Sequence, residues 1–583
     1  MGLIKYSISI LLAAYCAYSG FSQKIADLPA GIKQISMQYT NSLLGERVFV
    51  FDASMDMKEI QDLIDTLHVD QTDKNSEFTP NRYALLFKPG DYNLDIKVGY
   101  YMHIIGLGNS PEDVVIYGAV RSMSRNGHML TNFWRSAENL TIVPGENSTN
   151  TWGVSQASPL RRVYVKGNLN LTDKGYASGG FMANCKVDGE VNSGSQQQWF
   201  SRNSEWNLWH GGVWNMMFLG VENAPHGNWP DDPYTIIDYT PEIREKPYCV
   251  YTNDSFYLKI PGLRTNSKGT DWDLDNKDDK LFSIDNFYIT NPNTDNAASI
   301  NNALKAGKNI LFTPGIYPLR ESLKVKRPGT VLYGIGMATL VPENGNMAIE
   351  VSDVDGITIA GLLFDAAKIP SKTLVQVGEP GAQRDHSQNP TFLFDLFFRV
   401  GGPHVGSALS CMEINSNDVY ADHLWQWRAD HGAGVGWNKN KGANGLIVNG
   451  NKVTIYGLFN EHFQEYQTLW KGENGRVYFY QSEMPYDPPA TEEWKHNGTY
   501  GYASYKVGEN VKMHHAWGLG IYNVFYDAPI IVDQAIETPT KLESNIHHKV
   551  IIWLNGNEGS RVKSIINGKG NEVNRANRKA TMK

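Results

Sequence analysis

The chain has 583 residues, too many for one small core, so length alone points to two or more domains. Its 55 glycines, 11% aromatics and only 20% charged residues suit a turn-rich β protein and exclude a helical bundle, which would carry more Ala, Glu, Lys and Leu. A net charge of −8, with basic residues gathered only in the tail Arg575–Lys583, argues against a nucleic-acid partner.

The N-terminus reads as a signal peptide over 1–23. Lys5 supplies the positive start, Ile8 to Ala17 the short apolar run, and Ser19, Gly20, Ser22 and Gln23 the small and polar residues after it. The apolar run is too short to span a bilayer, and no later stretch is long enough. A secreted or periplasmic protein follows. A lipid anchor on Cys16 is the minor alternative, because Tyr15 before it fits a lipobox poorly. Beyond the leader lie Cys185, Cys249 and Cys411, an odd and scattered set that reads as buried thiols rather than a disulfide framework.

The next feature is an internal duplication. Phe87, Pro89, Gly90, Tyr92 and Leu94 match Phe312, Pro314, Gly315, Tyr317 and Leu319 at a constant offset of 225. Gly106-Leu107-Gly108 then parallels Gly334-Ile335-Gly336. Each copy follows a helical pattern: Ile60, Leu63, Ile64 and Leu67 share one face, as do Ile300 and Leu304. Short strands follow, among them Val331–Tyr333, Ile349–Val351, Val375–Val377, Leu446–Val448 and Val477–Tyr480, with Asn, Asp and Gly between them. A helix, a Pro-Gly turn and closely spaced strands without helical crossovers predict an all-β chain. It is expected to form two tandem right-handed parallel β-helices packed side by side, each with a short N-terminal capping helix. A β-sandwich is the structural runner-up, and the duplicated entry argues against it. The expected boundaries are 24–240 for the first β-helix, 241–284 for a linker or loop, 285–540 for the second β-helix and 541–583 for a C-terminal strand and tail.

The stretch richest in chemistry runs from Asp422 to Pro489. Glu461 and Glu483 are 22 residues apart, a spacing that stacks two carboxylates on adjacent coils of one face. Cleavage of a glycosidic bond needs such a carboxyl pair, one member kept protonated by burial or a nearby like charge. Two glutamates alone more often bind loop backbone. Trp425, Trp427, Trp470, Tyr480 and Tyr486 around them add rings on which sugars stack, although an aromatic ladder inside a β-helix would look the same. In the first half, Gln156, Ser178 and Gln196–Gln198 recur about one coil apart and could hold a water without protonating it, or form an internal polar ladder. No phosphate-cradling Gly loop or metal cluster stands out, and no cofactor or metal is expected.

These blocks resemble glycoside hydrolase family 55, the tandem β-helix β-1,3-glucanases of the pectate-lyase-like superfamily. The matching residues are Trp152, Val154, Gln156, Ala157 and Leu160, then Ser178-Gly179-Gly180-Phe181-Met182, then Gln197-Gln198 before Arg202-Asn203. In the second half they are Leu424-Trp425, Trp427, Ala429-Asp430-His431, Glu461-His462, Tyr466-Gln467, Gln481-Ser482-Glu483 and Pro485-Tyr486. The resemblance covers about 50 to 530 and implies an inverting, exo-acting hydrolysis of β-1,3-glucan. Glu483 would be the general acid, Gln156 and Ser178 would hold the attacking water, and Glu461 would assist. Gln481, Gln198, His462, Trp425, Trp427, Asp430, His431, Trp470 and Tyr486 form the expected substrate-binding set. The expected partner is a polysaccharide or oligosaccharide, and the chain is expected to be a monomer.

Three departures bear on which sugar is cut. Arg161 and Arg162 stand where the family carries neutral residues, and read either as contacts to an acidic sugar or as surface charges. Gly432-Ala433-Gly434 replaces acidic residues, and Asn460 replaces a serine. A polysaccharide lyase and a non-catalytic glycan-binding solenoid are the competing readings. The first is disfavoured by the few Lys and Arg in these blocks.

Overall fold

The computed structural model describes residues 28–29, 32–33, 38–72, 75–145, 148–272 and 277–583. The expected signal peptide and Cys16 lie outside them. The molecule is two right-handed parallel β-helices lying side by side. In the first, neighbouring parallel strands run in the order Gly45–Phe51, Tyr83–Phe87, Met102–Gly106, Ser136–Pro144, Leu160–Val165, Gly180–Ala183, Gln198–Arg202, Asn215–Leu219 and Tyr234–Ile237. In the second, one long sheet runs through Phe287–Thr290, Asn309–Phe312, Val331–Gly334, Thr358–Asp365, Thr391–Val400, Val419–Arg428, Thr454–Glu461, Gly475–Glu483, His514–Phe525 and Ile546–Gly556. A second sheet, from Leu323–Val325 to Ile536–Glu537, forms another face of the same solenoid.

Both copies of the duplicated entry are built alike. Helix Met57–Asp70 is capped by Asp56, whose carboxylate accepts from the backbone of Lys58 and Glu59. Helix Ala297–Lys305 is capped by Asn296, with Ser299 completing a capping box. Each lays its apolar face on its own solenoid: Ile60, Leu63, Ile64 and Leu67 in one, Ile300, Ala303 and Leu304 in the other. The matching tyrosines lock the matching turns, Tyr92 donating to the Lys88 carbonyl at 2.8 Å and Tyr317 to that of Thr313 at 2.9 Å.

Segment 241–284, expected as linker or loop, carries strands of its own. Thr240–Ile243 pairs with Arg264–Ser267, and Tyr248–Thr252, Ser255–Ile260 and Lys280–Ser283 form a small antiparallel sheet. Ile243, Leu258 and Ile260 join the apolar seam between the two β-helices. Past 540, Ile546–Gly556 stacks as a further rung in parallel register, and Lys579–Met582 closes the sheet antiparallel. Cys185, Cys249 and Cys411 are free, Cys185 and Cys411 buried and Cys249 partly so. No helix among the described residues is long and apolar enough to cross a membrane.

A bend in each coil sets which side chains face the seam. In the second β-helix the parallel register skips Gly361, Asp395, His423, Gly457, Phe479 and Gly518, one per rung, and each has a positive φ. Asn139, Arg162, Asn184 and Asn203 bend the coils of the first β-helix the same way. After the bend, alternation resumes. Leu424, Leu458 and Tyr480 point into the second solenoid's core, while Trp425, Phe459 and Gln481 point toward the first solenoid.

Buried charges also cross the seam. Arg161 bonds Asp395 at 2.8 Å and Asp422 at 2.7 Å, and Arg202 joins Asp422 to Glu245 at 2.9 and 2.6 Å. Lys246 links Glu138 at 2.7 Å and Asp395 at 3.2 Å. This overturns both readings of Arg161 and Arg162. Neither faces a sugar and neither is a surface charge: Arg161 is an interdomain ion pair, and Arg162 pairs with Asp271 at 3.2 Å from a buried position. Burial alone would strip such groups of charge, and the opposite charges against them outweigh it, holding Asp395 well below the usual carboxylate range.

Candidate active site

The site lies where the rungs Val419–Arg428, Thr454–Glu461 and Gly475–Glu483 end against the first β-helix. Trp427, Glu461, Glu483 and Tyr522 are in-register partners on four successive strands, so their side chains stack on one face. The two glutamates expected to pair therefore do so as neighbours.

Their surroundings differ. Glu461 is saturated with donors: the Gln156 and Gln481 amides reach its Oε1 at 2.7 and 2.6 Å, and the Trp425 indole N–H reaches Oε2 at 2.8 Å. Glu483 receives the Tyr486 hydroxyl on Oε2 and only a long 3.5 Å contact from Gln481. Burial pushes both carboxyls up to about 7, against the pull of the three donors for Glu461 and with the charge of Glu461 adding to burial for Glu483. Three N–H donors favour the ionised form of Glu461, and Glu483 has fewer donors, so a proton shared by the pair is better placed on Glu483. Glu483 is also the more accessible, 8% exposed against 3% for Glu461.

The first β-helix supplies the opposite wall. The Gln156 amide nitrogen is spent on Glu461, while its carbonyl oxygen is buried with no hydrogen-bond partner. Ser178 is 8% exposed, and its backbone N–H is tied to Ser155 Oγ at 3.0 Å. The Gln198 amide donates to the Ser178 carbonyl at 2.7 Å, and its Oε1 accepts from Tyr522 at 3.0 Å. Gly520 leaves the room for this pairing, since a Cβ there would sit 2.8 Å from the Tyr522 hydroxyl and 3.2 Å from Gln198 Oε1.

Several residues expected to touch sugar support the site from behind. Trp470 is overturned as a sugar contact: it is fully buried in the second solenoid's own core and donates to the Gly472 carbonyl. Trp425 and Trp427 are buried as well. The first holds Glu461 by its N–H, and the second stacks on Phe78 from the first β-helix. Gln198 spends both ends of its amide inside the protein, Gln481 bridges the glutamates, and His462 packs edge-on against Tyr486. Tyr486, Asp430 and His431 keep surface open to solvent. The His431 ring is bonded on both sides, to Asp430 at 2.8 Å and to Glu77 of the first β-helix at 2.6 Å. Glu77 and Tyr522 escaped the sequence reading. They enter the site through a contact 354 residues long in one case, and through a 39-residue coil that breaks the earlier spacing in the other. Among the described residues, no group of three or more His, Cys, Asp or Glu is arranged to hold a metal.

The sequence and the fold both have known relatives. Residues 287–483 match the LAM55 pectate lyase-like domain. The chain is 42% identical over 562 residues to an exo-beta-1,3-glucanase of Streptomyces sp. (strain SirexAA-E / ActE), covering 95% of this chain and 91% of that protein. The solved structure of sacteLam55A from Streptomyces sp. SirexAA-E superposes with a TM-score of 0.88 at 42% identity, over 92% of this chain and 98% of that one. A glutamate-to-alanine variant of that protein, refined with glucose, gives 0.89 at 41% identity over the same shares.

Proposed function

The chain belongs to the family of the Streptomyces exo-beta-1,3-glucanase, and on that premise we propose that it is a glycoside hydrolase of β-1,3-glucan, exo-acting and inverting. The observation that carries this reading is the asymmetry of the carboxyl pair: one saturated with donors that favour its ionised form, the other buried beside it with fewer donors and better placed to hold a proton. Glu483 protonates the glycosidic oxygen as the bond to the anomeric carbon breaks. The free carbonyl oxygen of Gln156 and the Ser178 hydroxyl hold the water that attacks from the other wall, and the proton this water sheds passes to solvent and re-protonates Glu483. Secretion or export to the periplasm and a monomeric chain complete the proposal.

One observation favours a second reading. Glu461 and Glu483 stand on adjacent rungs, about 4.8 Å apart at the backbone. That closeness suits a retaining pair, with Glu461 as nucleophile. The three donors on Glu461 blunt its nucleophilicity and weigh against it. The test of the proposal is Glu483→Gln assayed on laminarin by reducing-sugar release. A folded variant is expected to lose about 10²- to 10⁴-fold in kcat, the usual worth of a general acid. Near-wild-type turnover would remove Glu483 from that role.

A further inference from the structure

Asp430 and His431 belong to the second β-helix, yet the group that fixes them comes from the first. Glu77 lies in the short turn Ser76–Phe78, whose backbone is pinned by the Tyr101 hydroxyl donating to the Glu77 carbonyl at 2.6 Å. Its Oε1 meets His431 Nε2 at 2.6 Å, while Asp430 Oδ1 meets His431 Nδ1 at 2.8 Å. A ring with a carboxylate at each nitrogen is an imidazolium, because both nitrogens must donate. Phe78 packs on the same ring at 5.9 Å and on Trp427 at 6.3 Å, so the contact has little freedom to shift. The other charged or titratable groups in reach are Arg125, 3.7 Å from Glu77, and His462, which neighbours Asp430.

Asp430 lies beside the reacting groups: His431, which it bonds, packs on Trp427 at 5.1 Å, and Trp427 is the in-register neighbour of Glu461. The Asp430 charge acts on Glu461, Glu483 and Tyr486, and its side chain is 28% exposed, against 13% for Glu77. A carboxylate held ionised beside a protonated acid suits the acceptance of a sugar hydroxyl.

We propose that Glu77 is a positioning residue: through His431 it holds Asp430 ionised and aimed as a hydroxyl acceptor for the sugar bound against Glu483. The subsite is then complete only when the two β-helices are docked. This rests on the glycosidase reading for the sugar. It does not rest on it for the histidine.

Two measurements on the full chain separate the two. Nuclear magnetic resonance of ring-labelled histidine reports His431 without any sugar. The wild-type ring is expected to stay protonated through neutral pH, and in Glu77→Gln to titrate at least one pH unit lower. An unchanged titration overturns the proposal whatever the enzyme cuts. The second measurement is a double-mutant cycle with Asp430→Asn on laminari-oligosaccharides. Glu77→Gln is expected to lower kcat/KM about tenfold in the wild-type background, the worth of one charge-assisted hydrogen bond, and to cost little once Asp430 is Asn. Equal losses in both backgrounds would make Glu77 a structural residue and overturn the proposal. A shifted histidine titration in a protein inert toward β-1,3-glucan would instead overturn the glucanase reading and leave the clamp standing.

Discussion

Replacing Glu461 by glutamine removes a negative charge from the rung beside Glu483 while keeping its shape. Two unit charges at about 5 Å interact by about 3 kcal/mol at an effective dielectric of about 20, or roughly two pKa units. Burial is the larger cause of the raised Glu483 pKa and survives the substitution, so part of the shift remains. With Glu483 as the proposed general acid, the wild-type rate is expected to fall as pH rises through about 7. In Glu461→Gln that limb is expected about one to two units lower. The assay is kcat/KM on a β-1,3-oligosaccharide across pH, with folding checked by circular dichroism. A limb that stays in place would show that Glu461 carries no charge in the free enzyme, and would refute the assignment of the shared proton.

Stability has its own pH dependence. Folding raises the Glu483 pKa from 4.5 to about 7, so its contribution is fully present below 4.5 and lost as pH rises through about 7. Glu483→Gln is therefore expected to melt above wild type near pH 8, by about 3 kcal/mol at most, and level with it near pH 4. Gln156→Ala should lower kcat with little change in KM, since the residue is expected to orient water; a raised KM alone would make it a sugar contact. Arg161→Met takes one cation from Asp395 and Asp422, which keep Lys246 and Arg202, and should cost about 1–3 kcal/mol, read as a lower Tm; an unchanged Tm would contradict the ion pair's place in the fold.

The duplicated entry was legible because each copy repeats local chemistry: a capped helix, a Pro-Gly turn and a tyrosine reaching back four residues. The stacking of Glu461 on Glu483 was legible because one coil happens to span 22 residues. What the sequence hid depends on contacts between the two halves. Arg161 finds Asp395 and Asp422 more than 230 residues away, and no local pattern marks an arginine as buried. Trp425 and Trp470 look alike in sequence. The bend at His423 turns the rung that carries Trp425 so that it faces the seam, whereas Trp470 sits on the other sheet and fills the solenoid. The left-handed residues at those bends are Gly, Asn, Asp, His, Phe and even Arg, so composition gave no signal for them.

The central claim is that Glu483 delivers a proton while a water held by the first β-helix attacks from the opposite side. Proton magnetic resonance of the first sugar released from a β-1,3-linked oligosaccharide, taken before mutarotation, tests it most directly. The α anomer is expected at early times. Initial release of the β anomer would contradict it, and would make Glu461 a nucleophile despite its three donors.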